Sequence, residues 1–357
     1  MELEQFFDEF TEREWSTADE GTVRFAMVGL GWWTRDFAIP VTEQSEVCET
    51  TVLVSSSTEK AERVAADHSS VEHALTYEEF QDGAATDAYD AVYVGTPNAL
   101  HLPYVETAAE NGKAVLCEKP MESSVERAER LVEAATDVPL MVAYRMHTDP
   151  AVRRMRQLID EGFVGTPAHV HGHMSQRLLE MIPDPEQWRL NPDLAGPGTS
   201  VTDLGVYPLN TTRYVLGRDP VAVSAATYSG AEGFEDVPDE RAAFTVEYEG
   251  DVLASLSASQ NAHRSGFLTI VGTDGSLTLE PAFLAPSALT VDRGDIDADI
   301  ELPEMGEYQQ MREEFDYFSS CVLRDEEPYA NGEHGLVDMR AIEAVFEAAE
   351  SGSRVDL

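Results

Sequence analysis

Short apolar runs alternate with helix-like patterns along the first half of the chain. The runs that predict strands span residues 23–29, 50–54, 91–94, 114–117 and 140–143. The segments between them, in which apolar residues recur at helical spacing, predict helices over residues 59–66, 102–111 and 124–135. Because strands that alternate with helices pair in parallel through right-handed crossovers, we expect an open, doubly wound α/β sheet here.

Beyond residue 146 the apolar positions follow the alternation of half-buried strands. One helix is predicted over residues 149–161 and a last helix over residues 335–349. The strand-like runs between them span residues 168–174, 221–228, 242–248, 252–257, 267–271 and 276–280. Turn residues such as Gly250 and Gly275 separate several of these runs, so we expect an α+β domain with a large, mostly antiparallel, open sheet.

The two patterns divide the chain into three parts. Residues 22–146 form the parallel-sheet domain, and residues 147–357 form the α+β domain. Residues 1–21 are interpreted as a short acidic helical extension, which we expect to dock on the body of the protein or on a neighbouring subunit. The apolar residues on one face of its predicted helix are Leu3, Phe6, Phe7 and Phe10.

Carboxylates outnumber cations along the whole chain. There are 67 Asp and Glu residues against 24 Lys and Arg residues, the formal net charge is −43, and the only lysines are Lys60, Lys113 and Lys119. Such a chain repels itself at low ionic strength, whereas molar salt shortens the range of the repulsion to about 3 Å. The composition therefore indicates adaptation to high salt. It also argues against nucleic acid or an anionic membrane as a partner.

The cellular compartment is inferred from features that the sequence lacks. No apolar run approaches the roughly 18 residues of a membrane span. Residues 1–21 have neither the basic start nor the apolar stretch of a signal peptide. The three cysteines, Cys48, Cys117 and Cys321, follow no metal-ligand spacing and are expected to be reduced core residues. We therefore expect a cytoplasmic protein.

Gly29 and Gly31 directly follow the first predicted strand and open a helix. Gly29 permits a tight turn, and Gly31 lets the backbone approach a pyrophosphate at the helix N-terminus. Thr34 stands where this motif usually has a third glycine. The neighbouring Trp32 and Trp33 fit either a cover over nicotinamide or substrate, or plain packing. Within a βαβ series, the pattern predicts a dinucleotide-binding Rossmann domain.

The end of the second predicted strand indicates which dinucleotide is bound. NAD sites usually place an acidic residue there, on the ribose 2′-hydroxyl. This acid-rich chain instead has Ser55, Ser56 and Ser57. Hydroxyl groups with Arg35 nearby would accept the 2′-phosphate of NADP. We expect NADP, with NAD as the weaker alternative and dual use left open.

Three residues have the chemistry that alcohol oxidation needs. Lys119 follows a strand of the Rossmann domain, at the edge of the sheet where ligands bind. Asp203 and Tyr207 are four residues apart, so they share a face at the start of a helix. A base must remove the hydroxyl proton as hydride leaves the carbon. A tyrosine ionises near pH 10, and a neighbouring ammonium group favours its phenolate form.

Further segments carry a family resemblance from residue 23 almost to the C-terminus. They are Glu118-Lys119-Pro120, residues 143–147 (AYRMH), 187–189 (QWR), 203–207 (DLGVY) and 209–214 (LNTTRY). In these segments the chain resembles the superfamily of glucose–fructose oxidoreductase, inositol dehydrogenase and rhizopine-catabolism proteins. Tyr207, where many members have His, makes it most similar to glucose–fructose oxidoreductase, dihydrodiol dehydrogenases and the D-xylose dehydrogenases of salt-loving archaea.

The resemblance implies a role for each matching residue. Tyr207 is the acid/base, Lys119 assists it and touches the substrate hydroxyl, and Asp203 orients the sugar. His147 lies at the substrate. The residues that the motifs and the resemblance together place along the cofactor are Gly29, Gly31, Trp32, Trp33, Thr34, Arg35, Ser55, Ser56, Ser57, Thr96, Pro97, Asn98, His101, Glu118, Lys119, Arg145, Trp188 and Arg189.

The implied activity is that of an NADP-dependent aldose 1-dehydrogenase, with D-xylose as the first choice of sugar and the lactone as product. Alternatives that use the same residues are a glucose–fructose-type, a dihydrodiol or an inositol dehydrogenase. An alternative of another class is a non-catalytic regulator that senses cofactor or sugar, which would not need Lys119 and Tyr207. The open sheet of this family commonly forms a subunit interface, so we expect a homodimer or homotetramer.

Three histidines alternate along one predicted strand. His169, His171 and His173 project from one face, which raises the question of a zinc site. At about 3.3 Å per residue the three side chains spread over about 13 Å, which is too far for one metal ion. We therefore expect no metal and assign the three to an interface or a substrate-side face.

Overall fold

A computed structural model describes residues 21–357, together with Phe6, Phe10, Arg13 and Trp15 from the N-terminal segment. The chain divides into two compact units. The nucleotide unit comprises residues 15–145 and 308–339, and the sheet unit comprises residues 146–307 and 340–357 with the described residues before residue 15. Within the described part of the chain, no helix is both long and apolar enough to cross a membrane.

The nucleotide unit is built on six parallel strands. In chain order they are β1 (Val23–Val28), β2 (Cys48–Ser55), β3 (His73–Thr76), β4 (Ala91–Val94), β5 (Ala114–Glu118) and β6 (Leu140–Ala143). Their spatial order is β3-β2-β1-β4-β5-β6, so the predicted doubly wound Rossmann sheet is confirmed. The strand order reverses between β1 and β4, and ligands of such sheets bind beyond the carboxyl ends of the strands at this point.

Short helices connect these strands. They are α1 (Ile39–Thr42), α2 (Thr58–Ala65), α3 (Tyr77–Gln81), α4 (His101–Glu110) and α5 (Val125–Ala134), with a π-helical turn over Thr34–Ala38. The Ser57 hydroxyl accepts the Lys60 N–H at 3.3 Å and so fixes the start of α2. Strand β3 was not predicted, because its four residues are only half-buried and show no apolar run.

The sheet unit contains nine strands. In chain order they are β7 (Pro167–Arg177), β8 (Pro220–Tyr228), β9 (Arg241–Tyr248), β10 (Val252–Ser259), β11 (Asn261–Gly272), β12 (Ser276–Leu279), β13 (Leu289–Arg293), β14 (Ile296–Ile300) and β15 (Val355–Asp356). Their spatial order is β14-β13-β12-β11-β7-β10-β9-β8-β15. Only β7 and β10 pair in parallel, so the predicted mostly antiparallel sheet is confirmed. The acidic hairpin of β13 and β14 was not predicted.

Helices cover one face of this sheet. They include α6 (Pro150–Asp160) and α9 (Val206–Leu216), which a π-helical turn over Val201–Gly205 directly precedes, and the unit also contains the short helices α7 (Leu178–Met181) and α8 (Pro192–Ala195). Helix α9 packs against β7 and β11, and α6 packs against α9 and the β12–β13 hairpin. Along the central strands every second side chain points toward these helices, and these side chains are the buried apolar ones, as the period of a half-buried strand requires.

The other face of the sheet, here called the open face, carries a single carboxylate, Glu247, on the described strands β7 to β11, and Glu247 pairs with Arg354. Its other residues on these strands include Ser224, Ala226, Ala243, Thr245, Leu253, Ser255, Ser257, His169, His171, His173, Phe267, Thr269 and Val271. Further carboxylates of this face lie on the edge strands β13 and β14, on Asp292, Asp297 and Asp299. Such a face is unusual in a chain with a net charge of −43.

The three histidines lie on the open face. His169 and His171 are exposed, whereas His173 is half-buried and lies 2.8 Å from Ser257 Oγ and 2.9 Å from Ser175 Oγ. Among the residues that the structure describes, no three His, Cys, Asp or Glu side chains form a metal-binding group.

Two C-terminal helices, α10 (Glu307–Arg324) and α11 (Gly332–Ser351), complete the fold. Residues 308–339 join the nucleotide unit, whereas the expected boundary placed all of 147–357 in the second domain. The reason is packing, because the Phe315 ring lies 5.1 Å from Phe25 and 5.3 Å from Tyr93 of the parallel sheet. Helix α10 was not predicted, since polar residues interrupt the apolar period of its buried face. They are Gln310, Glu313, Glu314, Asp316, Ser319 and Ser320.

Two described residues of the N-terminal segment pack on the sheet unit. Phe6 is buried, and its ring lies 5.3 Å from that of Phe163. The Arg154 guanidinium stacks over Phe10 and donates to the Phe6 carbonyl. Docking on the body of the protein is therefore observed at these two positions, while Leu3 and Phe7 lie outside the described residues.

Candidate active site

The glycine-rich turn after β1 is shaped by two close approaches. Gly29 has a φ of +93°, and a Cβ there would lie 2.8 Å from Thr96 Cγ2 and 2.9 Å from the Gly95 carbonyl oxygen, so only glycine fits. At Gly31 a Cβ would meet no atom within 4 Å. Thr34 is buried, and Gly95 makes room for it, since a Cβ at Gly95 would lie 2.8 Å from Thr34 Oγ1. The turn thus leaves open space where a pyrophosphate would lie.

The end of β2 carries hydroxyl groups and two cations. Ser55 is buried with no hydrogen-bond partner for its hydroxyl in the described part of the chain, Ser56 is exposed, and Ser57 caps α2. Burial, together with the nearby charge of Arg35, lowers the pKa of Lys60. Lys60 stands in the first turn of α2 and the charge of Arg35 acts on it, so both cations are candidates for binding a phosphate group at this end of α2.

The sequence analysis missed Lys60. Its position in the first turn after Ser57 was visible in the sequence, and it is one of only three lysines in an acid-rich chain. The sequence did not show that the α2 turn brings this side chain near Arg35, since the two residues are separated by β2.

The segment after β4 was predicted to run beside the cofactor. Thr96 and Asn98 are buried, Pro97 is half-buried, and the Thr96 hydroxyl has no hydrogen-bond partner among the described residues. His101 is fully buried, with Nε2 2.9 Å from the Thr96 carbonyl and Nδ1 3.1 Å from the Met121 carbonyl. Both ring nitrogens face backbone oxygens, so this arrangement corresponds to a residue that positions the loop rather than one that touches a cofactor.

Glu118 connects β5 to the helix that follows the glycine turn. Its Oε1 accepts the Trp33 indole N–H at 3.0 Å and the Tyr93 hydroxyl at 2.8 Å, and its Oε2 accepts the Lys119 N–H at 3.2 Å. Both carboxylate oxygens are therefore engaged, and Glu118 holds Trp33 and the backbone of Lys119 in place. The side chain of Lys119 follows at the carboxyl end of β5.

Trp33 belongs to an aromatic cluster at the start of this helix. Its ring stacks on Phe37 with centroids 4.5 Å apart, and Trp32 packs edge-on at 5.4 Å. Trp32 remains 38% exposed, so it is the member of the pair that can meet a ligand from solvent. Trp33 is mainly a packing residue that Glu118 holds in place.

Arg145 and Glu314 form a buried charged layer behind Glu118. Arg145 donates a hydrogen bond to Gln310 of α10. Burial, reinforced by the charge of Glu118, raises the pKa of Glu314 well above its ordinary range, against a smaller opposing effect of Arg145. Arg145 is 5% exposed, so its position is one of support behind the predicted cofactor residues.

Asp203 is held by two donors in the sheet unit. Its Oδ2 accepts the Arg189 guanidinium at 3.2 Å and the Gln260 side-chain amide at 2.8 Å. Arg189 also stacks over the Trp188 ring, with its guanidinium carbon 4.5 Å from the ring centroid. The structure thus brings the predicted residues Trp188, Arg189 and Asp203 into one cluster, and it adds Gln260, which the sequence analysis missed.

Asp203 and Tyr207 lie on one continuous helical segment. Asp203 belongs to the π-helical turn and Tyr207 to the first turn of α9. The sequence analysis expected a regular helix here, and the π-helical turn replaces its first turn. Such turns occur frequently at functional sites, because they rotate side chains away from regular helical spacing. The Tyr207 ring packs 6.0 Å from that of Phe283.

A buried carboxylate caps the start of this segment. Asp239 accepts the Thr199 N–H at 2.7 Å and the Val201 N–H at 2.8 Å, one with each oxygen. Burial raises the pKa of Asp239 to about 7, although these N–H groups oppose the shift. The sequence analysis did not single out Asp239, because it lies in an acidic stretch that resembles solvent-exposed chain.

The unfolding free energy of Asp239→Asn is expected to lack the pH-dependent contribution that Asp239 makes in the wild-type protein. The raised pKa means that the wild-type protein is most stabilised below about pH 4 and loses that contribution as pH rises to about 7, while the variant has no such group to titrate. At about 1.4 kcal/mol per pKa unit, the difference between the two unfolding free energies shifts by about 3 kcal/mol from pH 5 to pH 8, in favour of the variant. Denaturant unfolding of both proteins in concentrated KCl measures this shift. A difference that stays constant with pH would contradict the expectation.

His147 lies between the segment after β6 and α9, and its predicted role at the substrate stays a prediction. It is buried, its Nε2 lies 2.7 Å from Asn210 Oδ1, and its ring stacks on Tyr214 at 4.1 Å. Burial lowers the pKa of His147 to about 3, so the ring is neutral at working pH. These contacts connect the segment after β6 to α9, which is a supporting position.

The candidate residues fall into two sets. The glycine turn, the serines after β2, Glu118, Lys119 and Arg145 belong to the nucleotide unit, whereas His147, Trp188, Arg189, Asp203 and Tyr207 belong to the sheet unit. That Lys119 acts together with Asp203 and Tyr207 stays a prediction.

Known proteins resemble the chain along its whole length. It is 54% identical to the D-xylose 1-dehydrogenase [NADP(+)] of Haloarcula marismortui over all of both chains. It is 30% identical to D-xylose 1-dehydrogenase (NADP(+)) 2 of Haloferax volcanii, over 79% of this chain and 84% of that one. The crystal structure of aldose-aldose oxidoreductase from Caulobacter crescentus complexed with glycerol superposes with a TM-score of 0.87 at 30% identity, covering 94% of this chain and all of that one.

Two family descriptions match consecutive parts of the chain. Residues 23–146 match the oxidoreductase family with an NAD-binding Rossmann fold, and residues 152–278 match the GFO/IDH/MocA C-terminal domain. The matched parts cover most of the parallel sheet and the central strands of the open sheet, so the resemblance noted in the sequence is confirmed. The chain therefore belongs to the GFO/IDH/MocA oxidoreductase family.

Proposed function

We propose that this chain is an NADP-dependent D-xylose 1-dehydrogenase, which oxidises the C1 hydroxyl of the pyranose to the lactone. The observation that carries the proposal is the 54% identity, over the full length of both chains, to the D-xylose 1-dehydrogenase [NADP(+)] of Haloarcula marismortui. The chain has the groups that this oxidation needs, which are the phenol of Tyr207, the carboxylate of Asp203 and the ammonium group of Lys119.

Each of these groups has one task. When bound, the dinucleotide would supply a nicotinamide as the acceptor of the hydride from C1. Tyr207, as the phenolate, takes the proton of the C1 hydroxyl while the C1–H bond breaks, and the carbonyl of the lactone forms. Lys119 stabilises the phenolate and donates a hydrogen bond to the same hydroxyl oxygen. Asp203 accepts a hydrogen bond from a neighbouring sugar hydroxyl and so orients the ring.

The cofactor fits residues of the nucleotide unit. The open space beside Gly31 suits the pyrophosphate, since a side chain there would meet no other atom within 4 Å. Arg35, Lys60 and the Ser57 cap suit the 2′-phosphate of NADP, because Lys60 stands in the first turn of α2 and the charge of Arg35 acts on it. No acidic residue stands at 55–57 to bind the 2′-hydroxyl of NAD.

The Lys60→Ala variant is expected to raise the KM for NADP about 10-fold, because one charge-assisted phosphate contact is lost. The KM for NAD should change less than about 2-fold, since NAD has no 2′-phosphate. Lys113→Ala is the matched control, because the Lys113 ammonium donates to the Tyr89 carbonyl at 2.9 Å. Steady-state kinetics with both dinucleotides measure the effect. Equal changes for NADP and NAD would remove Lys60 from the phosphate site.

The reaction is tested by following nicotinamide reduction in about 2 M KCl, which screens the surface charge. Pentoses, hexoses and inositols are each offered with NADP and with NAD. Fast turnover of D-xylose with NADP supports the proposal. Faster turnover of an inositol or a diol favours the corresponding dehydrogenase. If no substrate is turned over although NADP binds, a sensing regulator is favoured.

We also propose that a second copy of the chain covers the open face. A centre whose single carboxylate, Glu247, is paired with Arg354 would bring two strongly acidic chains together with little charge repulsion. A molar mass of two or four times 39.3 kDa in concentrated KCl supports this, and a monomer contradicts it. The three buried, unpaired cysteines fit a reducing compartment, and we propose the cytoplasm as the working location.

A further inference from the structure

Gln260 lies between β10 and β11 and directly contacts Asp203. It is fully buried, and its Nε2 donates to Asp203 Oδ2 at 2.8 Å. Its Oε1 accepts the Gln176 amide N–H at 2.9 Å. An ionised carboxylate can only accept hydrogen bonds, so the nitrogen of the Gln260 amide must face Asp203. Gln176 donates to the other end of the amide, which agrees with this orientation.

The backbone of Gln260 is attached to the start of the helical segment that carries Asp203. The Gln260 N–H lies 3.0 Å from Ser200 Oγ and 3.1 Å from the Glu240 carbonyl oxygen, and the Gln260 carbonyl accepts the Leu178 N–H at 2.8 Å. Ser200 directly precedes the π-helical turn and donates its own hydroxyl to the Glu240 carbonyl at 2.8 Å. Gln260 and the turn are therefore fixed to the same acceptor, residue 240.

The contact between Gln260 and Asp203 sets the direction of a carboxylate that stands in an irregular helical turn. Asp203 stands in a π-helical turn, whose side-chain spacing differs from that of the α-helix that follows it. Arg189 reaches the same oxygen at 3.2 Å but is itself half-buried and stacked on Trp188. Gln260 is the fully buried and more closely bound of these two donors.

We infer that Gln260 is a positioning residue for the dehydrogenase reaction, which orients the Asp203 carboxylate toward the sugar and thereby sets the affinity for the aldose. The inference rests on the proposed function, in which Asp203 binds a sugar hydroxyl. Gln260 acts through Asp203 and not on the cofactor, so its effect is confined to the sugar. The effect of Gln260 also requires that the carboxylate of Asp203 is ionised.

The test is a double-mutant cycle with Gln260→Glu and Asp203→Asn. Gln260→Glu keeps the size of the side chain and the acceptor for Gln176, but it places a carboxylate oxygen against Asp203. We expect the KM for D-xylose to rise about 10-fold or more, with the KM for NADP unchanged within about 2-fold. In the Asp203→Asn background, residue 203 has an amide that can donate to the carboxylate at position 260. Gln260→Glu should therefore raise the KM for D-xylose by less than about 2-fold in that background.

Ser259→Ala is the matched control. The Ser259 hydroxyl donates to the same Glu240 carbonyl at 3.1 Å without touching Asp203. We expect some loss of thermal stability with the KM for D-xylose unchanged. Gln260→Met, which removes both amide contacts without adding charge, replaces Gln260→Glu in the cycle if the latter does not fold.

The outcomes separate this inference from the proposed function. The inference is overturned if the residue-260 change raises the KM for D-xylose equally in both backgrounds, or if it raises the KM for NADP as much as the KM for D-xylose. Gln260 would then be a structural residue. If Asp203→Asn impairs D-xylose turnover and the residue-260 variants are normal, the inference alone fails. If Asp203→Asn leaves D-xylose kinetics unchanged, the proposed role of Asp203 fails and the inference fails with it.

Discussion

Tyr207→Phe is expected to lower kcat for D-xylose by at least about 100-fold, the usual scale for loss of a general acid/base. The change removes only the phenolic oxygen, so the ring keeps its packing 6.0 Å from Phe283 and α9 keeps its start. NADP binding is expected to remain unchanged, because Tyr207 belongs to the sheet unit and the predicted cofactor residues lie mainly in the nucleotide unit. Single-turnover kinetics and a separate NADP titration distinguish the two effects.

Tyr214→Phe is the control for this prediction. Tyr214 stands on the same helix, and its hydroxyl donates to the His147 carbonyl at 3.3 Å. Loss of that hydrogen bond costs stability of about 1 kcal/mol, and activity should stay within about 3-fold of wild type. If Tyr207→Phe also stayed within this range, another group would be the acid/base and the proposed mechanism would be wrong.

Lys119→Met should have the second largest effect, again about 100-fold or more on kcat/KM at pH 7. Without the ammonium group, a tyrosine base ionises only near pH 10. The rate of the variant is therefore expected to rise with pH up to about 10, whereas the wild-type rate levels off earlier. Rate profiles from pH 6 to pH 10 measure this difference.

Lys119→Arg tests whether the positive charge of Lys119 is what sets the pH profile. It keeps the positive charge but replaces a compact ammonium group by a planar guanidinium, so it should restore the wild-type pH profile with a reduced rate. A Lys119→Met variant whose pH profile parallels the wild-type profile would mean that Lys119 does not act on the base.

The sequence predicted most of the fold because the relevant patterns are local. Buried parallel strands are short apolar runs, and the helices between them have their own period and caps, such as Ser57 before α2. Helix α10 has no such pattern. It buries Glu313 and Glu314 against the nucleotide unit, so its sequence resembles an exposed acidic segment.

The site was predicted less completely because its contacts join distant parts of the chain. Gln260 contacts Asp203 from 57 positions away, and Asp239 caps the same segment 40 positions after Thr199. Nothing in the sequence near these residues indicates such partners. Lys60 is the exception, since its rarity and its place after Ser57 were both visible.

Two histidines show that a motif match predicts the position of a segment but not the contacts of each side chain in it. His147 lies in a segment that carries the resemblance and His101 does not, and both were predicted to touch a ligand. The structure places His101 between two backbone carbonyls and His147 against Asn210, and their contact with a ligand stays a prediction. A motif match identifies the segment that forms a site, while the direction of each side chain depends on packing that the match does not contain.

The scarcity of lysine makes amine acylation a site-selective probe of this protein. The three lysine side chains occupy three different surroundings, with Lys60 beside Arg35, Lys113 on the Tyr89 carbonyl and Lys119 at the end of β5. The remaining cations are arginines, which do not react with amine-directed acylating reagents. Peptide mass spectrometry after brief acylation would therefore report each lysine separately. Protection of Lys60 by NADP and of Lys119 by sugar would locate both ligands without any mutation, with Lys113 as the internal reference.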